Sequence, residues 1–140
     1  MGVGDVLRGS CLCGGVRYEI TGGISGIRNC HCSICRKAHG AAFRTRAAVK
    51  RENFRFVAGE ELLTFYSSSP GVHRGFCRVC GSPILSRLDR TPDSYGVPLG
   101  ALDDDPGAKP EMHIFTGSKA PWFDITDDLP QYERFPEPVQ

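Results

Sequence analysis

Cys30, Cys32 and Cys35 stand within six residues as C-H-C-S-I-C, and two further pairs, Cys11/Cys13 in C-L-C and Cys77/Cys80 in C-R-V-C, complete the set of seven cysteines. Clustered thiolates are soft ligands that suit a thiophilic cation, Zn²⁺ above all. The two pairs can close one four-thiolate site. The triplet makes a site with three thiolates and an open fourth position. A closed tetrahedral zinc is structural, whereas one with an open position can do chemistry. Three thiolates around a dication leave one excess negative charge. Such a centre organises a thiol or polarises a carbonyl oxygen better than it makes strong hydroxide.

Other readings of these cysteines stay open. A rubredoxin-like iron site would use two CxxC knuckles, but one pair here is CxC, so zinc is preferred. His39, His73 and His113 are candidates to close the triplet as a second structural site. A metal-free redox triplet is the third reading. His31 lies between two ligands, and in an extended C-x-C its side chain points away from theirs. That makes it a neighbour of the site rather than its fourth ligand. Proton transfer falls to His31 or His39, because an imidazole titrates near neutral pH. Arg36, Lys37 and Arg44 are candidates to hold the carboxylates of an anionic thiol cosubstrate.

A chain of 140 residues is expected to form one domain, residues 1–140. The formal charge of +1 gives no electrostatic case for nucleic acid or a membrane surface. Residues 28–55 carry eight basic side chains against Glu52, while residues 101–140 carry nine acidic against three basic. The basic stretch surrounds the triplet, where positive charge favours thiolates. Its bland reading is a solvated face paired with the acidic end. Only Phe43 and Phe54 interleave it, too few for stacking on bases. The N-terminus lacks a signal pattern, Val6 stands where myristoylation wants Ser or Thr, and no apolar run reaches the ~18 residues of a membrane span. The expectation is a soluble, cytoplasmic protein, in which clustered cysteines favour metal over disulfides.

The elements that must position the cysteines read as short strands between Gly and Pro turns. Strands are expected over 16–20, 42–49, 54–57, 62–67, 72–76, 84–88, 97–102 and 112–115. Residues 32–39 suit a short helix with Ser33 as N-cap and Gly40 as its stop. Gly22–Gly26 reads as a loop, and Pro121-Trp122-Phe123 as a core or lid element. With 63 residues between Cys13 and Cys77, the four-cysteine site must staple distant strands.

Four ordered segments carry a family resemblance: Gly9–Glu19, Asn29–Gly40, Phe76–Ile84 and His113–Pro130. Together, over a core of about residues 9–132, they resemble the glutathione-dependent formaldehyde-activating enzyme family, whose domain centromere protein V shares. The resemblance implies a mainly β fold, a β-tent of coiled antiparallel sheets with short helical turns, stapled by zinc. It implies two Zn²⁺ per chain: a structural one at Cys11, Cys13, Cys77 and Cys80, and a catalytic one at Cys30, Cys32 and Cys35. It implies a carbon–sulfur lyase-type activity joining a small-molecule thiol such as glutathione to formaldehyde or another small aldehyde, as S-(hydroxymethyl)glutathione synthase does. The alternatives are a non-catalytic zinc-stapled binding module, since the fold is shared with the zinc-containing Rab accessory factor, and a thiol or metal sensor.

Overall fold

The alternation R-Y-E-I turns Tyr18 and Ile20 to one side, and both side chains are fully buried. That strand, β2 (Arg17–Ile20), pairs antiparallel with β1 (Leu7–Ser10) and with β5 (Phe54–Ala58). The computed structural model describes residues 6–136; what the sequence suggests for positions 1–5 and 137–140 lies outside it. The described chain is mainly β and divides into two compact units, one of residues 6–25 and 47–108, the other of residues 26–46 and 109–136.

In the first unit, β1, β2 and β5 form one layer. A second run of strands, β6 (Leu63–Ser69), β7 (Val72–Cys77), β8 (Pro83–Leu88) and β9 (Ser94–Pro98), folds back and forth as antiparallel neighbours. Its core contains Leu7, Val16, Tyr18, Ile20, Val49, Ile84, Leu85 and Val97, together with Cys11 and Cys77. Phe54 stacks on Tyr18 with ring centroids 4.7 Å apart. Burying each such aliphatic side chain contributes about 1.5–3 kcal/mol. Two of the four knuckle sulfurs thus belong to this core. Gly59 holds the first knuckle close: its φ is 81°, and a Cβ there would lie 2.0 Å from the carbonyl oxygen of Gly15. Only glycine tolerates both constraints.

The second unit is smaller. It holds β3 (Ser25–Cys30), the helix α1 (Ser33–His39), the start of β4 (Arg44–Lys50) and β10 (Met112–Ile114). Cys30, Cys35 and Ile114 are its buried cluster, with Cys32, Met112, Phe115 and Tyr132 packed against it.

Several expectations are corrected. The sheets are not antiparallel throughout, because β10 runs parallel to β3 with Ile114 opposite Cys30. A tight hairpin enforces antiparallel pairing, but the long connection between these two strands lets the chain return in the same sense. The strand expected over 97–102 lies instead at Ser94–Pro98, followed by a 3₁₀ turn at Leu99–Ala101. Pro98 lacks the N–H that would extend the ladder. Strand β3 begins inside the segment read as a loop, and β1 was not foreseen. The helix N-cap is Cys32 rather than Ser33, with Cys32 Sγ accepting from the Cys35 N–H at 3.3 Å. Gly40 does end the helix, at φ 58°, its N–H reaching Arg36 O. Trp122 is 70% exposed, so it is no core residue. Phe123 N–H donates to Ala120 O at 3.2 Å, closing a turn whose central residues face solvent.

Candidate metal centres

The four-cysteine cluster lies in the first unit. Sulfur atoms of Cys11, Cys13, Cys77 and Cys80 all fall within 4.8 Å of one another. Cys11 Sγ is 3.5 Å from Cys13 Sγ, and Cys13 Sγ is 3.9 Å from Cys77 Sγ. Four sulfurs at 2.3 Å from a tetrahedral zinc would be separated by roughly 3.8 Å, so the spacing fits that ion. The backbone prepares the sulfurs as ligands. Val16 N–H donates to Cys11 Sγ at 3.2 Å, and Ser82 links the knuckles by accepting from Leu12 N–H at 2.9 Å while lying 3.2 Å from Cys80 Sγ.

Their acidities diverge as crowding of like groups demands. Hydrogen bonding with the Ser82 hydroxyl and backbone pulls Cys80 down to about 5. Cys13 is pushed up to about 11: Gly15 N–H favours its thiolate, but the neighbouring Cys11 sulfur, with Cys80 and Cys77, outweighs it. A divalent cation among the four would relieve that conflict.

The three-cysteine cluster lies in the second unit. The sulfurs of Cys30, Cys32 and Cys35 converge within 4.8 Å, and among the described residues no fourth His, Cys, Asp or Glu joins them. Cys30 ends β3, Cys32 caps α1 and Cys35 sits in its first turn, so one strand-to-helix turn supplies all three. Cys32, then Cys35, then burial drive the Cys30 thiol far above its ordinary value, again a set of sulfurs that cannot all ionise without a cation. Three convergent soft donors fit a thiophilic divalent ion.

The histidines resolve differently from their sequence reading. His31 is fully buried, packed on Phe43 at 4.9 Å between ring centroids. Burial, then His113, Lys119 and Arg36, push it down to about 4. It therefore does not titrate near neutral pH as expected. His113 joins His31 and Asp127, and His73 lies between Ser67 and Asp89, so neither enters the triplet as a ligand. His39 lies in the last turn of α1 and is no part of the cluster either.

Among the proposed anion-holding cations, Lys37 is exposed while Arg44 is only 7% exposed. Arg46 joins them as a further cation beside the triplet. Burial and then Arg28 hold its guanidinium below the usual value, while Cys30 and Cys35 draw it back up. Its position one strand after the cysteine turn was the available signal. Of the basic stretch, Arg55 pairs with Glu19 rather than with the acidic end of the chain.

A mainly β protein with two cysteine clusters, each able to hold a metal ion, is the class that fold and sites define. Residues 6–118 match the sequence model of the glutathione-dependent formaldehyde-activating enzyme family. A Halomonas elongata protein named "Putative glutathione-dependent formaldehyde-activating enzyme" is 31% identical, over 86% of this chain and 81% of its own length. A Podospora anserina protein of the same name is 28% identical, over 77% of this chain and 53% of its own. Among solved structures, a Rhodobacter sphaeroides protein superposes with a TM-score of 0.59 at 32% identity, covering 74% of this chain and 91% of that one. The chain belongs to the glutathione-dependent formaldehyde-activating enzyme family. Among the described residues no helix is long and apolar enough to cross a membrane.

Proposed function

We propose that the chain is a zinc-dependent carbon–sulfur lyase-type enzyme that joins a thiol such as glutathione to formaldehyde or another small aldehyde. The observation that carries this reading is the convergence of Cys30, Cys32 and Cys35 without a fourth protein ligand among the described residues. In the addition, the thiol sulfur forms a bond to the carbonyl carbon, the C=O π bond breaks, and the thiol proton ends on oxygen. No oxidant or reductant is needed. Bound at the three sulfurs, Zn²⁺ would supply a soft Lewis acid for a thiolate or a carbonyl oxygen.

The protein's own residues supply the rest. The strand-to-helix turn fixes three donors on one side of the site. Lys37, exposed on α1, is available to the carboxylates of a thiol cosubstrate. Phe43 and Phe123, with centroids 5.4 Å apart, both pack against the buried His31 ring. Cys11, Cys13, Cys77 and Cys80 hold the second, structural Zn²⁺ in this reading. It takes residues 1–140 as one functional domain of β-tent type, working in the reducing cytoplasm.

The test is metal content followed by titration with glutathione and a zinc-sensing dye, then formaldehyde turnover. Two Zn²⁺ per chain, one perturbed or released by glutathione, together with turnover that Cys32→Ala abolishes, is the expected outcome. Two inert ions and unchanged turnover in Cys32→Ala would sink it and point to a binding module.

A further inference from the structure

His113 and Asp127 have no part in the reading above, and in the second unit they form a chain with His31. His31 Nε2 lies 2.8 Å from His113 Nδ1. His113 Nε2 lies 2.9 Å from Asp127 Oδ2 and 3.2 Å from Oδ1. Both rings are buried, His31 at 0% and His113 at 1% exposure, whereas the Asp127 side chain is 47% exposed.

The polarity of this chain follows from its outer end. The Asp127 carboxylate, held ionised by His113, can only accept. His113 Nε2 therefore donates to the carboxylate, and the tautomer that does so leaves Nδ1 as the acceptor. That acceptor takes the proton of His31 Nε2. His31 is left with Nδ1 as a lone pair, and Nδ1 is the buried ring atom that finds no partner. An unpaired acceptor is better tolerated in a protein interior than an unpaired N–H, so the opposite polarity is the worse one.

The mechanical consequence falls on the cysteine turn. His31 stands between Cys30 and Cys32. Its main-chain N–H donates to Ile114 O at 3.0 Å, and Ile114 faces Cys30 across the parallel pair β3–β10. The ring adds a second tether from the same residue to His113, one position earlier on β10. Two tethers to one short strand fix both the path and the rotation of the turn that presents the first two sulfurs. The outer end is anchored too: His113 N–H donates to Pro130 O and Tyr132 N–H to His113 O, both at 2.9 Å, so the segment bearing Asp127 lies along β10.

We propose that His113 and Asp127 are positioning residues for the three-cysteine site, acting through His31 to hold the Cys30–Cys32 turn in its ligand-ready conformation and so setting how tightly the site retains a thiophilic divalent cation. This rests on the reading of that cluster as a metal site. Groups that orient metal-ligating turns commonly change affinity by about 10- to 100-fold when removed.

The test uses the full folded chain loaded with Co²⁺ under reducing conditions and challenged with increasing chelator, the thiolate charge-transfer bands reporting each site. The wild type should take two equivalents. His113→Leu, which keeps apolar bulk but removes the acceptor, should weaken the three-cysteine equivalent about 10- to 100-fold and leave the four-cysteine equivalent unchanged. His113→Asn offers its Oδ1 near the place of Nδ1 and should recover most of the loss. A residue that only fills space would be served better by Leu than by Asn, so the reverse ranking overturns the proposal. Should His113→Leu fail to fold, Asp127→Ala decides on a half-exposed side chain: about tenfold weaker binding at the three-cysteine site is expected, and wild-type affinity overturns the idea. ¹⁵N shifts of wild-type His31 should show the Nε2–H tautomer, and the Nδ1–H tautomer would overturn the assigned polarity. A wild type that takes a single equivalent refutes the metal-site reading itself, an outcome distinct from two equivalents that no variant disturbs.

Discussion

In the four-cysteine cluster the ligands come from two knuckles separated by 63 residues, and two of the sulfurs, on Cys11 and Cys77, are packed into the core of the first unit. In the three-cysteine cluster all ligands come from one turn of six residues that ends a strand and starts a helix. Closing the first cluster means forming the unit around it, because β1, β2, β7 and β8 must already lie in register. The second needs only local chain and one strand beside it. On the proposed reading, a metal in the first would be bound up with folding, and one in the second would exchange or meet a ligand while the fold persists. Cysteine sulfur would then hold a metal in one place and handle a ligand in the other, and sequence separation is what distinguishes the two clusters.

The sharpest way to break that contrast is Cys77→Ser. Structural zinc contributes about 10–16 kcal/mol in small peptides, against a typical domain stability of about 5–15 kcal/mol. The variant, or chelation of the wild type, should lose its cooperative thermal transition in circular dichroism. By comparison, Cys32→Ala should keep the transition. Its loss of the helix-capping sulfur removes about 1 kcal/mol, while thiol–aldehyde turnover falls at least about a hundredfold. Equal thermal damage from both would erase the distinction.

A pair of glycines sharpens it further. Gly59→Ala drives a Cβ into Gly15 O beside the first knuckle, and should destabilise the protein by about 3 kcal/mol with loss of the four-cysteine ion. Gly40→Ala, at φ 58° with open space around it, carries only the left-handed backbone strain of about 1–2 kcal/mol and should spare both ions. Denaturant midpoints with metal counts decide this.

The smallest effect is electrostatic. The Arg8 side chain and backbone N–H hold Asp104 down to about 2, below its ordinary 3.8. A depressed carboxyl stabilises above its unfolded value, and that contribution is lost as pH falls from about 3.8 through about 2. Asp104→Asn should flatten the acid limb across this window relative to the wild type, and an acid limb unchanged by the substitution would refute the assignment.

The cysteine spacing made both clusters legible in the sequence, because thiolate pairs two or three residues apart have few uses other than ligation. Alternation made most strands legible too: residues 54–57 and 84–88 nearly coincide with β5 and β8. What escaped depends on partners far along the chain. β1 is four residues with a glycine inside, and only pairing with β2 makes it a strand. The parallel return of β10 is invisible locally, and so is everything that follows from it. His31 and His113 stand 82 positions apart, and no pattern within either neighbourhood says that they meet. Trp122 misled because its bulk suggested burial, while the turn at Ala120–Phe123 sends it outward.

The wide gap between the two knuckles also orders events in time. During synthesis the triplet is finished at Cys35, whereas Cys77 follows 42 residues later. At about 5–20 residues per second, that is about 2–8 s in which Cys11 and Cys13 have emerged with no partner knuckle and the only complete ligand set is the triplet. Early ions therefore meet five sulfurs from which a wrong tetrad can be drawn, and every such tetrad must be taken apart before the right one forms. Refolding with Zn²⁺ present from the start should be slower than refolding with Zn²⁺ added after collapse.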